Sequence, residues 1–425
     1  MQTLASLLLL LVASHAHAAP EVGRRLLSRP DGRQPWKNAP PGNMTVVIHF
    51  NQLGQLAIRQ TSTGLQLAAK YLALVAQAQR TVAQRYRRPD MQVAAAAYAG
   101  HAVLTRLFPL LSVNFDAVMR DYTDGLTPVQ LNQVSQQGIN IAQKLVAQSL
   151  TDGLAEWADW YTPPVGPQPA GVYAFTPGQT FALLPQLART RPLVIPRPDP
   201  FEQGGPNPAA SPAFAADLAE VRDVGQKGFA EPQDVTTAQF WFNGPGTASS
   251  AGQWSDVAMS LLPVNTTTFA AADLLYRLNA AMFDASIVCW YTKYKTNFWR
   301  PITAIRATIG PDTWEPVLNT PSHPEHPSGH SCAGGAAGQI LTNFFGTSDL
   351  DITVGSEWPI WSAPTLPKRT YSSLWDAVQE GMDSRVYAGV HYRRAVNVGK
   401  AIGVKVAQFV WNAGAPAATV DYEDR

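Results

Sequence analysis

Between Tyr161 and Pro212 proline recurs so densely that neither a helix interior nor an inner sheet strand can persist, because each proline removes a backbone donor and fixes φ. The same stretch carries Phe175, Phe181, Leu183, Leu187, Leu193, Val194, Ile195 and Phe201, side chains for which a solvated linker has no use. An ordered, irregular strap lying over helices satisfies both observations. It also argues against a boundary between independent domains at this point.

On either side of the strap the apolar residues recur at three and four. Leu65 to Tyr86 reads as a helix stopped by Pro89, and Met91 to Leu107 as an Ala-rich second one ended by Pro109. Leu131 to Trp157 is predicted to be a helix interrupted at Gly138 and Gly153. Helical spacing resumes at Ala213 to Val224, Trp254 to Leu262, Phe269 to Trp290, after Ser328, around Ser373 to Ser384 and from Val396 to Trp411. No strand alternation is sustained, so the fold class is all-α, a helical bundle. Residues 61–425 form a single domain with the strap at 161–212, preceded by an irregular segment, 19–60, whose first part is rich in Pro, Gly and Arg.

Composition permits such a domain and narrows its partners. An apolar fraction of 46% over 425 residues is ample for a core. Thirty-two basic against thirty-one acidic residues give no reason to expect nucleic acid or an anionic membrane as partner, so any strong field must be local. Leu4 to Ala13 is an apolar run too short to span a bilayer, and Ala16-His17-Ala18 has the small-x-small form of a cleavage site. Residues 1–18 are therefore read as a signal peptide and the protein as secreted. Sequons at Asn43 and Asn265 agree with export. No later run reaches the roughly eighteen apolar residues of a membrane span. Cys289 and Cys332 either pair, tying two segments together, or are two buried thiols in helices.

The chemistry-bearing residues lie in three clusters between Lys293 and His391. Lys293 and Arg300 are about two helical turns apart, so a helix continuing through Trp299 would send both heads from one face, with Pro301 ending it. Pro327-Ser328-Gly329-His330 precedes a run of small residues and reads as a helix start. There the Ser hydroxyl and the Gly329 amide can donate to an oxyanion, although an ordinary Ser N-cap has the same appearance. A His at a helix start gains nothing from the dipole as a cation, which gives His330 a proton-transfer role or a neutral hydrogen-bonding one. Arg385 and His391 add a second guanidinium and a second imidazole. Together the clusters supply donors for a tetrahedral oxyanion, one nucleophilic or coordinating nitrogen and one acid-base group.

The combination Lys-x6-Arg-Pro, Pro-Ser-Gly-His and Ser-Arg-x5-His resembles that of the vanadium-dependent haloperoxidases, which share it with the type 2 phosphatidic acid phosphatases and bacterial nonspecific acid phosphatases. FWFNGPGTASSAGQW (Phe240 to Trp254), CWYTKYKTNFWRPITAIR (Cys289 to Arg306) and HPEHPSGHS (His323 to Ser331) extend the likeness to the secreted or bacterial branch. The resemblance implies two four-helix bundles with the site in one. It implies a vanadate cofactor bonded by His391 and hydrogen-bonded by Lys293, Arg300, Ser328, Gly329 and Arg385, with His330 as acid-base residue and Lys293 polarising hydrogen peroxide. Its substrates would be peroxide, a halide and a small organic acceptor. Position 323 is Phe in chloride-oxidising members and His in bromide-oxidising ones, so His323 favours bromide or iodide. One departure concerns the ligand itself. The family usually places Asp four residues after the metal-ligating His, where it can hold the imidazole tautomer, and this chain has Ala395. Two other readings stay open: a soluble acid phosphatase acting through a phosphohistidine at His391, and a noncatalytic secreted anion-binding glycoprotein.

Overall fold

Residues 44–154, 161–164, 168–310, 313–358 and 366–414 are described by the computed structural model. The expected leader and cleavage site, and Asn43 of the first sequon, lie outside them. The N-terminal segment corrects the expectation of irregular chain to residue 60, because Thr45–Gln60 forms a helix, α1. Val46, Val47, Phe50, Leu53, Ala57 and Ile58 give it a buried apolar stripe, while His49, Asn51 and Gln55 are buried beside them and mask the period in the sequence.

Helices α2 (Leu65–Ala83), α3 (Pro89–Leu107), α4 (Ser112–Met119) and α5 (Pro128–Ser149) follow. α5 begins in a capping box, with the Thr127 side chain accepting from the Gln130 amide and the Gln130 side chain from the Thr127 amide. It then runs through Gly138 without the expected interruption. A Cβ at Gly138 would lie 2.8 Å from the Ala99 amide nitrogen, so this glycine lets α3 and α5 approach instead of breaking the helix.

Within the proline-rich stretch the described residues hold only two short 3-10 turns, Pro185–Arg189 and Asp199–Phe201. Leu187, Ile195 and Phe201 are nonetheless buried. The amides of Leu193, Val194 and Ile195 donate to the Asp284 carboxylate at 2.7, 2.8 and 2.9 Å, which fastens a segment with no ladder of its own to a central helix. Burial pushes Asp284 up to about 6, and the three amide donors oppose that shift.

After it come α6 (Pro212–Val224), α7 (Pro232–Phe240), α8 (Ser249–Leu261) and the long α9 (Thr268–Thr296), then α10 (Pro301–Ile309), α11 (Gly329–Phe345), α12 (Leu374–Tyr387) and α13 (Arg393–Asn412). α9 is buried nearly all round and packs against α2, α11 and α13. Cys289 on α9 and Cys332 on α11 are buried free thiols. The departure from an all-α reading is an antiparallel pair, β1 (Ile352–Gly355) and β2 (Lys368–Tyr371), in which Ile352 faces Tyr371. Four residues per strand are too few for alternation to stand out in the sequence.

The α11–α13 seam positions the later half of the chain. A Cβ at Gly335 would lie 2.5 Å from the Lys400 carbonyl oxygen, at Gly399 2.6 Å from that of Ser328, and at Gly403 2.2 Å from that of Cys332. Helix α11 starts at the Ser-Gly-His cluster and α13 starts just after His391, so this close packing fixes the two clusters against each other. Gly403→Ala is therefore expected to cost on the order of 3 kcal/mol, measured by urea unfolding, because the obstructing atom is backbone and cannot rotate away.

Candidate active site

The first cluster is not on one helix face. α9 ends at Thr296, and Asn297 takes the left-handed conformation with φ of 47°, its amide donating to the Lys293 carbonyl. Arg300 caps α10 in extended backbone and Pro301 is that helix's first residue, so Pro301 starts a helix where it was expected to end one. The turn brings the two cations together by a different route. Both are fully buried.

Their donors are largely spent on the chain itself. Lys293 Nζ donates to the carbonyls of Pro324 (3.0 Å), Glu325 (2.9 Å) and Pro327. Arg300 donates from Nε to the His323 carbonyl at 2.9 Å and from Nη1 to that of Val390 at 2.7 Å, while Nη2 stands 3.0 Å from His323 Nδ1. The same Nδ1 lies 3.2 Å from the Pro324 carbonyl oxygen, which can only accept, while the guanidinium can only donate; the shorter, charged contact favours a lone pair on Nδ1. The imidazole lies 4.8 Å from the Trp290 ring, which also faces Lys293 and the α-carbon of Gly329, where a Cβ would come within 3.1 Å.

Ser328 caps α11, its hydroxyl accepting from the Ser331 amide at 3.5 Å and its own amide donating to the Ala395 carbonyl. The amides of Gly329 and His330 open the helix and have no carbonyl a turn earlier to receive them. Cap and anion-site geometry therefore coexist. His330 Nε2 donates to the Phe242 carbonyl at 3.3 Å, leaving Nδ1 as an acceptor, and burial followed by Arg385 drives this imidazole down to about 3.

Arg385 lies in the last turn of α12, buried, and its Nε and Nη1 have no partner among the described residues. Burial and then Arg300 pull it down to about 10. Gly389, with φ of 75°, turns the chain directly after α12 and a Cβ there would lie 2.5 Å from the Gly225 carbonyl oxygen. This tight turn delivers His391, whose Nε2 stands 3.4 Å from Arg300 Nη1 and whose Nδ1 stands 2.8 Å from Glu325 Oε1.

Glu325 is the residue that the motif reading missed. It is fully buried, and its Oε1 also accepts from the Tyr392 amide at 3.0 Å. Burial lifts its carboxyl to about 8, against the pull of Arg300 and Lys293. Its signal was in plain sight as an acid three residues before Ser328, in a loop otherwise apolar, basic or small. His391, by contrast, is held well below its usual value by burial and then by Arg300, Lys293 and Arg385, so the ring stays neutral with a lone pair on one nitrogen.

All the singled-out residues thus converge. Lys293, Arg300, His323 and His391 are joined through contacts with one another and with the loop that leads into Ser328 and Gly329, and the Arg385 guanidinium stands near enough to hold down both His330 and His391. Among the described residues no three His, Cys, Asp or Glu side chains gather as a divalent-cation site would need. The His391 Nε2 lone pair among guanidiniums and helix-start amides suits an oxyanion with a single coordinate bond.

Residues 273–416 match the family model for the second helical-bundle domain of the vanadium chloroperoxidases. The fold is similar to that of the first bacterial vanadium-dependent iodoperoxidase, with a TM-score of 0.74 and 25% identity over 88% of this chain and 98% of that one. The chain belongs to the vanadium-dependent haloperoxidase family. A holo-type bacterial vanadium-dependent chloroperoxidase shares the fold at a TM-score of 0.67 and 18% identity, over 92% of this chain and 96% of that one. Vanadium chloroperoxidase of Curvularia inaequalis is 27% identical over 175 residues, a match spanning 31% of this chain and 28% of that protein. The stretch matched by the family model is about a third of the chain, and it holds every cluster residue.

Buried neutral imidazoles make this fold acid-sensitive. His326, whose Nε2 donates to the Gly204 carbonyl at 3.2 Å, is pushed by burial from 6.5 to about 3. A folded value below the unfolded one gives stability that is complete above pH 6.5 and is lost as the pH falls toward 3. His326→Gln, which keeps a donor for Gly204, is expected to flatten the decline of urea-unfolding free energy below pH 6.5 by about 1.4 kcal/mol per pH unit.

Proposed function

We propose that this protein is a vanadate-dependent peroxidase that oxidises a halide with hydrogen peroxide to hypohalous acid, which halogenates a small organic acceptor. The observation that carries the reading is an unbalanced buried charge with donors to spare. Lys293, Arg300 and Arg385 are all buried, Glu325 is the carboxyl that faces the first two, and two Arg385 nitrogens have no partner among the described residues. Burying cations in excess is costly unless an anion completes the group. Vanadate, when bound, supplies a Lewis acid that activates peroxide without a change in oxidation state.

The chain's own residues do the rest. His391 offers Nε2 to the guest, and Arg385 with the Gly329 and His330 amides takes its oxygens. Ser328 sits where its hydroxyl can turn from the helix cap toward the anion. His330, its Nε2 engaged by Phe242, can accept a proton at Nδ1 and return it. Lys293 and Arg300 set the potential of the pocket and draw the loop around it. The preference for bromide or iodide over chloride rests on His323. Export through the leader at residues 1–18 belongs to the same proposal, with the exposed Asn265 as a glycan acceptor.

The test is addition of vanadate to EDTA-stripped protein, followed by bromination of monochlorodimedone with peroxide and bromide. Activity should return with vanadate and be inhibited by phosphate. Arg385→Ala should weaken vanadate binding by about 3 kcal/mol, roughly a hundredfold, in a calorimetric titration. Hydrolysis of phosphate esters by the stripped protein without bromination would favour the phosphatase, and failure of vanadate to bind would leave only a noncatalytic protein.

A further inference from the structure

Ala395 removes the carboxylate that the family usually sets four residues after the metal-ligating His, yet His391 does not lack a carboxylate partner. We infer that Glu325 is the positioning residue of His391, holding its imidazole with Nδ1 protonated and Nε2 free for the anion. This inference rests on the vanadate reading for what Nε2 binds, but the orientation itself follows from contacts in the chain.

Two neighbours agree on the tautomer. Glu325 Oε1 accepts from the Tyr392 amide while Oε2 has no partner among the described residues, so Oε2 is the oxygen to carry any carboxyl proton and Oε1 is left to accept from Nδ1. At the other end of the ring Nε2 faces Arg300 Nη1, which can only donate, so the lone pair belongs there. Glu325 is in turn held from both sides of its backbone. Its amide donates to the Phe298 carbonyl at 2.9 Å and its carbonyl accepts from Lys293 Nζ at 2.9 Å. A single residue thus joins the turn after α9, the Ser-Gly-His loop and the imidazole at the start of α13.

The usual arrangement takes ligand and orienting acid from the same helix start. Here the acid comes from the anion loop, so seating of that loop and aiming of the ligand are one event. At the first turn of α13 Ala395 presents a buried methyl, and its carbonyl accepts from the Ser328 amide. That contact closes the link between the two clusters from the other side.

The test combines nitrogen NMR of protein labelled with 15N-histidine and calorimetric titration with vanadate. Wild type should show His391 as the Nδ1–H tautomer. Glu325→Ala should lose that preference and bind vanadate roughly 10- to 100-fold more weakly, the usual effect of removing a partner behind a metal ligand. Glu325→Gln keeps an acceptor oxygen, so it should keep the tautomer and lose only part of the affinity; it also serves if Glu325→Ala fails to fold. Restoring the acid at the family's usual place, in Glu325→Ala with Ala395→Asp, should recover the tautomer. Unchanged tautomer and affinity in Glu325→Ala would overturn the inference, as would an Nε2–H His391 in wild type. A wild type that shows Nδ1–H at His391 but does not bind vanadate would sink the proposed function and leave the positioning role standing.

Discussion

The structure depends on a way of burying three cations around a loop that holds a single carboxyl, Glu325. Isolated charges in such a place would be prohibitive, and the chain answers mainly with carbonyl dipoles instead of acids. Five backbone carbonyls, from His323, Pro324, Glu325, Pro327 and Val390, receive Lys293 and Arg300. All but one belong to a loop of five residues. The two cations of the first cluster are therefore the mould on which the Ser-Gly-His loop is shaped, and Arg385 is the cation left facing inward with donors to give.

That division explains why the scaffold is so intolerant of volume at certain places. Gly399 against the Ser328 carbonyl and Gly389 against the Gly225 carbonyl are backbone-to-backbone approaches that no side chain could replace. One seats the helix start and the other ends α12 so that His391 enters the same space as Arg385. The strap contributes from outside. The Leu183 carbonyl accepts from Trp290 Nε1 at 3.2 Å and from the Tyr294 hydroxyl at 2.9 Å, and the Leu183 amide donates to the Ser322 carbonyl at 2.7 Å, next to His323. An irregular segment rich in proline can do this because its unpaired amides and carbonyls are free for neighbours.

Much of this was legible in the sequence, since helices announce themselves by period and the three clusters by residue type. The strap's apolar residues also betrayed its contacts. What was not legible was geometry made by single residues. A left-handed Asn297 ends α9 before Trp299, so the inference from two-turn spacing gave the right association of Lys293 and Arg300 for the wrong reason. Gly138 read as a breaker because composition cannot distinguish a glycine that bends a chain from one that admits a neighbour. α1 stayed hidden because buried polar residues interrupt its stripe. Glu325 was not legible because an orienting acid is expected on the ligand's own helix start, and this one comes from 66 residues away in sequence.

Lys293 sharpens the distinction between charge and donor. The family resemblance gives it a bound oxygen to polarise, but its three hydrogens all point at loop carbonyls. To reach a guest directly it must release one of them, at a cost of about 1.5–3 kcal/mol for a charged hydrogen bond. A multiply charged tetrahedral anion can offset that, because the interaction at close range in a poorly hydrated site is stronger than one with a neutral carbonyl. A neutral guest cannot. Burial has already brought the ammonium down to about 8, with Arg300 adding to the fall, so its proton is less tightly held than in water. The same lysine is thus a structural donor in the loop, and on the proposed reading it would turn to a guest only when the anion is charged enough to displace a carbonyl, which would make the pocket selective for charge before shape.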